Sequence, residues 1–122
     1  MITAGALDLA RNALYGDTVD LEINYVAVGD GTTAVTGAET QLVNETFRTA
    51  VLGRTKGTTG ILDTVADVLD TDGALTIREI GFFAGGTATA NSATLVSRIL
   101  WTKDKTTLES IQFNRRDTIG RG

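Results

Sequence analysis

The sequence predicts a mainly β fold, an antiparallel β-sandwich of jelly-roll-like type with one short amino-terminal α-helix. Thr and Val are abundant, and both residue types favour pleated, half-buried surfaces. The chain has 14 Gly to supply turns and no Pro. At 122 residues it has the usual size of one domain and can bury roughly two-thirds of its unfolded surface. We expect a single domain over residues 1–113.

The first element is a predicted amphipathic helix at residues 3–15. Thr3 can cap its start, and Gly16 suits its end. Because one helix of this length is too short to be stable alone, its apolar face should dock on a sheet or on a neighbouring subunit. That face repeats at helical spacing and comprises Ala6, Leu7, Ala10, Ala13 and Leu14.

Apolar segments of strand length follow the helix. We expect strands at residues 23–28, 47–52, 75–83, 94–102 and 107–113. Residues 61–69 fit a helix face and also a strand. Residues 38–44 fit a helical turn. Turns or loops are expected at residues 53–60, 70–73, 85–92 and 103–105.

The composition excludes several kinds of site. The chain has no Cys and no His, which excludes a Cys nucleophile, a Ser-His-Asp triad and the usual zinc site. The net charge of −4 argues against a nucleic-acid surface. No signal peptide and no membrane-spanning segment is recognisable, so we expect synthesis in a cytoplasm and no membrane partner. We expect no cofactor.

Carboxylate chemistry is the remaining catalytic possibility. A pair of carboxylates can hydrolyse glycosides. Nothing in the sequence indicates a sugar groove, and Trp101 is expected to pack in the core. We therefore predict that the protein is not an enzyme.

Two polar turns resemble ligand sites only in part. The segment GDGTT at residues 29–33 lacks the GxxxxGK[ST] pattern of a phosphate-binding loop, so its glycines are expected to permit positive φ in a tight turn. Four residues match positions of a calcium-binding EF-hand loop, namely Asp70, Asp72, Gly73 and Glu79, but Val68 stands where that loop begins with Asp. We predict no metal site, and a different turn that binds Ca²⁺ through Asp70 and Asp72 stays open.

Arg78 and Glu79 lie inside the apolar segment IREIGFF, where alternation places Ile77, Glu79 and Gly81 on one face. A charged side chain on a part-buried strand usually needs a partner. Arg48 and Arg98 are the candidates for Glu79, and Glu45 is the candidate for Arg78. We interpret these charges as structural ion pairs rather than as a binding site.

Residues 114–122 carry three Arg and one Asp, a charge of +2, which leaves −6 for the rest of the chain with its total of −4. They form either a frayed terminus or a basic arm that is ordered against the acidic surface of a like subunit. The candidate interface residues are Arg115, Arg116 and Arg121 in this arm and Leu7, Ala10 and Leu14 on the helix.

Three segments carry a family resemblance: VGDGTT at residues 28–33, LVNETFR at residues 42–48 and REIGFF at residues 78–83. Together they resemble the amino-terminal attachment domain of bacteriophage tail-collar fibre proteins and related short phage virion structural proteins. The likeness extends over about residues 2–103, and it favours a strand at residues 61–69.

The resemblance implies a non-enzymatic virion protein, an oligomeric docking module of the tail, baseplate or fibre-attachment type. Its partners would be other virion proteins and its own copies, in a homotrimer. Tail-collar fibre proteins continue into a long shaft, whereas this sequence stops at Gly122, so we expect docking rather than receptor binding. The alternatives are a capsid decoration protein that clamps capsid subunits and a host-glycan-binding module.

Overall fold

The computed structural model describes residues 1–121, which form one helix, seven strands and a short 3-10 turn. The helix α1 spans Ala4–Tyr15, and the 3-10 turn spans Asp70–Asp72. The strands are β1 (Ile23–Gly29), β2 (Glu45–Ala50), β3 (Gly53–Lys56), β4 (Ile61–Val68), β5 (Leu75–Ala84), β6 (Thr94–Lys105) and β7 (Ile111–Thr118).

The strands form two antiparallel sheets, as the composition predicts. Sheet A has the order β2-β1-β5-β6, and sheet B has the order β3-β4-β7. The chain crosses between the sheets after β2, β4 and β6. The mainly β class, the sandwich and the single short helix are therefore confirmed.

The main core lies between the two sheets. Val28 and Ile80 from sheet A pack in one cluster with Ala66 from β4, and Phe113 from β7 packs against this cluster. Along β4, buried residues alternate with half-buried ones, as expected for a strand with one face on the core. The choice of a strand at residues 61–69 is confirmed.

The helix begins and ends as its caps predict. The Thr3 hydroxyl accepts a hydrogen bond from the Ala6 amide at 3.2 Å, and Gly16 closes the helix with φ of 109°. Ala6 is buried and Leu9 packs against the core, which holds α1 on β6.

A loop covers the outer face of sheet A. Leu42, in the loop of residues 30–44, packs with Ala27, Phe83 and Leu95 in a second apolar cluster. Most of β5 is consequently buried on both faces. The helical turn predicted at residues 38–44 is wrong, because these residues form bends.

Three predicted loops or boundaries are also wrong. Residues 53–56 form strand β3 where a hairpin loop is expected, and β6 continues through residues 103–105, with its turn after Lys105. The domain boundary expected at residue 113 is wrong as well. Strand β7 runs to Thr118 and pairs with β4 along its whole length.

Trp101 does not lie in the core. It is 39% exposed and contacts Phe113 edge to face, with 6.0 Å between ring centroids. It therefore covers the side of the core where β6 and β7 meet.

A register shift in the β5–β6 pairing changes which side chains share a face. The shift lies between Ile77 and Glu79. Ile77 joins the inter-sheet core with Ile80, whereas the Glu79 carboxylate faces the loop on the outer side of sheet A. The expectation that Ile77 and Glu79 share a face is wrong.

Candidate functional site

The three segments that carry the family resemblance meet on the outer face of sheet A. Glu79, from the segment REIGFF, lies at their centre and is fully buried. Its carboxylate accepts hydrogen bonds from the backbone amides of Val43, at 3.2 Å, and Asn44, at 2.9 Å. These two bonds attach the end of the covering loop to β5.

Arg98 completes the charge balance of Glu79. Its Nε donates to Glu79 Oε2 at 2.8 Å, and both side chains are fully buried. Arg98 Nη1 also donates to the carbonyl of Thr33 at 2.8 Å, which attaches the beginning of the loop. The predicted pairing of Glu79 with Arg98 is confirmed, and the alternative with Arg48 is wrong.

The glycines of GDGTT provide space for this carboxylate. Neither Gly29 nor Gly31 has a positive φ, so the predicted reason for these glycines is wrong. A Cβ on Gly29 would lie 2.6 Å from Glu79 Oε1 and 2.2 Å from the Asn44 carbonyl oxygen. A Cβ on Gly31 would lie 2.8 Å from Glu79 Oε2 and 2.4 Å from the Val43 Cβ. Close approach of the loop requires glycine here.

A second buried pair joins β2 to the loop of residues 85–93. Arg48 and Glu45 form a two-point pair, with distances of 3.0 and 2.9 Å. Arg48 Nη1 donates to the carbonyls of Thr87 and Ser92, and its guanidinium lies 4.2 Å from the centre of the Phe83 ring. Cation–π contact and bidentate pairing both favour Arg over Lys at this position.

Arg78 has a different partner from the one predicted. It pairs with Asp104 on β6 at 2.9 Å, at the surface, while Glu45 is taken by Arg48. The side chains of Arg48, Glu79 and Arg98 are therefore buried and structural, whereas Arg78 is half-buried and its partner Asp104 is exposed.

Arg115 and Arg116 belong to β7 and not to an arm. Arg115 binds Asp117 through two hydrogen bonds of 2.8 Å, contacts the Ser97 hydroxyl and lies 5.0 Å from the centre of the Phe82 ring. Arg116 binds Asp63 on β4 at 2.8 and 3.1 Å. The carboxylates that we expect on a neighbouring subunit are thus supplied by the same chain. Arg121 is exposed beyond the strand.

The helix residues of the candidate interface divide into two groups. Ala10 is half-buried, whereas Leu7 is 62% exposed and Leu14 is 91% exposed. The buried helix stripe is therefore displaced from the predicted one towards Ala6 and Leu9. Leu7 and Leu14 lie on one helix face and are available to a partner, and their role in an interface stays a prediction.

The polar turn at Asp70 and Asp72 is occupied by local hydrogen bonds. Asp72 accepts from the Leu69 amide at 2.7 Å, and Asp70 accepts from the Thr71 amide at 2.9 Å. Within residues 1–121, no group of three or more Asp or Glu side chains could hold a metal ion. Glu79, the fourth residue of the EF-hand match, is bound to Arg98.

Two half-buried carboxylates have strongly lowered pKa values. The Thr36 amide, together with that of Gly37, holds the pKa of Glu39 at about 2. The Lys103 ammonium, with the Thr106 amide, holds the pKa of Glu109 at about 2. Both carboxylates stabilise turns in the ionised form.

The comparisons with known proteins identify no relative of this chain. No family model, no curated protein and no solved structure matches this chain. No helix among the described residues is long and apolar enough to cross a membrane. Function must therefore be argued from the arrangement of these residues.

Proposed function

We propose that this protein is a non-enzymatic structural component of a bacteriophage virion that docks on a tail, baseplate or fibre-attachment surface. The observation that carries the proposal is the meeting of the three resembling segments around Glu79. Val43 and Asn44 from LVNETFR and Gly29 and Gly31 from VGDGTT all contact or approach one carboxylate of REIGFF. Three short segments whose residues contact one another in the fold are a more specific sign of a family than three separate short matches in sequence.

The chemistry of these residues supports a structural role. The Glu79 and Glu45 carboxylates are buried and bound to arginines, so neither is presented to a substrate. The chain also has no Cys or His to serve as nucleophile or base. In the part of the chain that the structure describes, both carboxylates attach loops to sheet A, and this contact stabilises the fold.

Exposed apolar side chains support docking. Leu7, Leu14 and Tyr15 project from α1, with Leu14 and Tyr15 almost fully exposed. A cluster of exposed large apolar residues on one element is typical of an interaction surface. We propose this helix face as the contact with another virion protein.

The test is the location of the protein in purified particles. Mass spectrometry of particles from a host that produces this protein should detect it, and cross-links should join α1 to a tail or baseplate protein. Absence from mature particles would refute the proposal. Cross-links to the major capsid protein would favour the decoration alternative, in which the protein clamps capsid subunits.

A host-glycan-binding module is the other alternative. A glycan array separates it from a docking module, because docking predicts no binding to any host-surface glycan. Specific binding to one glycan class would reverse the order of the two hypotheses.

A further inference from the structure

Asn91, in the loop of residues 85–93, differs from the other asparagines of the chain in its surroundings. Each of the others has a side-chain amide that is bound within the fold: Asn12 to Arg11, Asn24 to Gly86, Asn44 to Asp30 and Asn114 to Gln112. Asn91 is exposed, and its side-chain amide has no hydrogen bond to any of residues 1–121. This amide is therefore free to turn towards the main chain.

The main chain at Asn91 is held by few bonds. The φ angle is 58° at Asn91 and 72° at Ala93, and both values lie in the left-handed region, which is uncommon for residues other than glycine. The Ser92 amide between them donates one hydrogen bond, to the Thr89 carbonyl at 3.2 Å. Exposed loop bonds of this kind open at a lower free energy than those of a helix or a sheet. The Ser92 nitrogen is thus accessible after a local opening.

An asparagine that precedes a small residue can react with the next main-chain nitrogen, and asparagine is a thermolabile residue for this reason. Here the Ser92 nitrogen attacks the Asn91 Cγ, the new C–N bond closes a five-membered succinimide, and the side-chain nitrogen leaves as ammonia with the Ser92 proton. Water then opens the ring. Cleavage of the bond to Cγ gives aspartate, and cleavage of the bond to the main-chain carbonyl carbon gives isoaspartate. The net reaction converts an amide and water into a carboxylate and ammonium.

We propose that Asn91 is the site at which this protein deamidates, to aspartate and isoaspartate. The other asparagines are protected by regular structure or by their own bonds. Asn12, Asn24 and Asn114 lie in α1, β1 and β7. Asn44 is held twice, because its side chain binds Asp30 and its main-chain amide binds Glu79. The proposal requires no assumption about the particle in which the protein resides.

The reaction acts on the attachment of this loop to β2. The Asn91 amide donates to Glu45 Oε1 at 3.2 Å, so a carboxylate formed at position 91 lies near a like charge. The Ser92 carbonyl and hydroxyl accept from Arg48 Nη1 at 3.1 and 2.8 Å. Isoaspartate adds one carbon atom to the main chain directly before Ser92, which displaces these acceptors. Because the Arg48 side chain is buried, its lost hydrogen bonds are not replaced by water, and the isoaspartate form should be less stable.

The first experiment compares each asparagine in the folded and the unfolded chain. The protein is incubated at mildly alkaline pH with and without a denaturing concentration of guanidinium chloride, and peptide mass spectrometry follows each conversion. The ratio of the folded to the unfolded rate cancels the effect of the neighbouring residue. It should lie within about tenfold of unity at Asn91 and be at least about a hundredfold lower at Asn24 and Asn44. Equal protection of Asn91 and Asn44 would overturn the proposal.

The second experiment tests the effect on the loop. Asn91→Asp adds the charge without lengthening the main chain. Asn91→Gln is the control, because glutamine must close a six-membered ring and reacts far more slowly. After equal ageing, the parent chain should have the lowest urea midpoint in proportion to its isoaspartate content, Asn91→Asp should lie between, and Asn91→Gln should match the fresh parent. Loss of amide at the parental rate in Asn91→Gln would overturn the assignment of the site. An aged parent as stable as the fresh one would overturn the effect on the Arg48 attachment.

Discussion

Arg98 and Glu79 form a fully buried ion pair of 2.8 Å, and each partner also holds one end of the loop that covers sheet A. A buried pair of this kind is not in itself a large source of stability, because both ions lose their hydration. Removal of one partner is costly, since the other charge is left buried. The pair therefore acts as an attachment point whose loss should release the loop.

Replacement of Glu79 by Ala tests this attachment. We expect a loss of about 3–5 kcal/mol in the free energy of unfolding, because Arg98 would remain buried without its carboxylate. Urea denaturation measures the change. Asp8→Ala, which breaks the exposed Asp8–Arg11 pair, is the control and should cost at most about 1 kcal/mol. Similar small losses for both variants would show that the Glu79 site tolerates an unpaired Arg98.

Replacement of Gly31 by Ala tests the space beside the same carboxylate. The added methyl group would approach Val43 Cβ to 2.4 Å and Glu79 Oε2 to 2.8 Å, so the loop must move. Overpacking of this kind typically costs about 1–3 kcal/mol. Gly53→Ala is the matched control, because a Cβ at Gly53 meets no atom within 4 Å. Thermal unfolding measures the effect, and equal melting temperatures for the two variants would contradict this explanation of Gly31.

Deletion of residues 114–122 tests the extent of β7. The deletion removes Arg115, Arg116 and Asp117 and leaves β4 without most of its partner strand. We expect most of the stability of the domain, typically about 5–15 kcal/mol, to be lost. The shorter deletion of residues 120–122 lies beyond the strand and should leave the melting temperature almost unchanged. A cooperative unfolding transition in the longer deletion would instead support a dispensable arm.

The lowered pKa values of Glu39 and Glu109 predict an acid-dependent loss of stability. Each carboxyl has a pKa of about 2 in the folded chain and near its ordinary value of 4.5 when unfolded. The unfolded chain therefore binds more protons between these values, and stability falls as the pH is lowered from about 4.5 to 2. Urea denaturation at several pH values measures this slope. The double variant Glu39→Gln/Glu109→Gln should show a shallower slope, and an unchanged slope would exclude these two groups as its cause.

The sequence indicates the helix, the class of fold and the central ion pair for simple physical reasons. Thr3 and Gly16 are typical caps, and both act as caps. Glu79 lies in an apolar strand and needs a cation, and Arg98, one of two candidates, is that cation. These inferences depend on local pattern and on charge balance, which a single sequence contains.

Other features depend on distant contacts that local pattern does not contain. The bulge beside Ile77 moves that residue to the inter-sheet core, and only the pairing of β5 with β6 reveals it. The reason for Gly31 is the approach of Val43 and Glu79, which are remote in sequence.

The sequence at the end of β7 alternates as a strand does, but its charged side chains are also typical of a solvent-exposed terminus. Phe113, Arg115 and Asp117 alternate as inward-facing residues, and the Arg115 guanidinium lies over the Phe82 ring. Long charged side chains often bury their stems in this way while binding a carboxylate. An alternating pattern that continues through an Arg can therefore still be a strand.

The pairing of β4 with β7 has a consequence for the order of events during synthesis. Ile61 pairs with Thr118, and the Met1 ammonium lies on the Arg98 carbonyl, a separation of 97 positions along the chain. Non-local contacts of this kind slow folding, because long loops must close before the contacts form. Sheet B cannot be completed until β7 is available, so β4 keeps one edge unpaired until residue 118 has been added and is free to pair. A chain built in this way is most exposed to aggregation while it is being made, because the unpaired edge of β4 is then open to other chains.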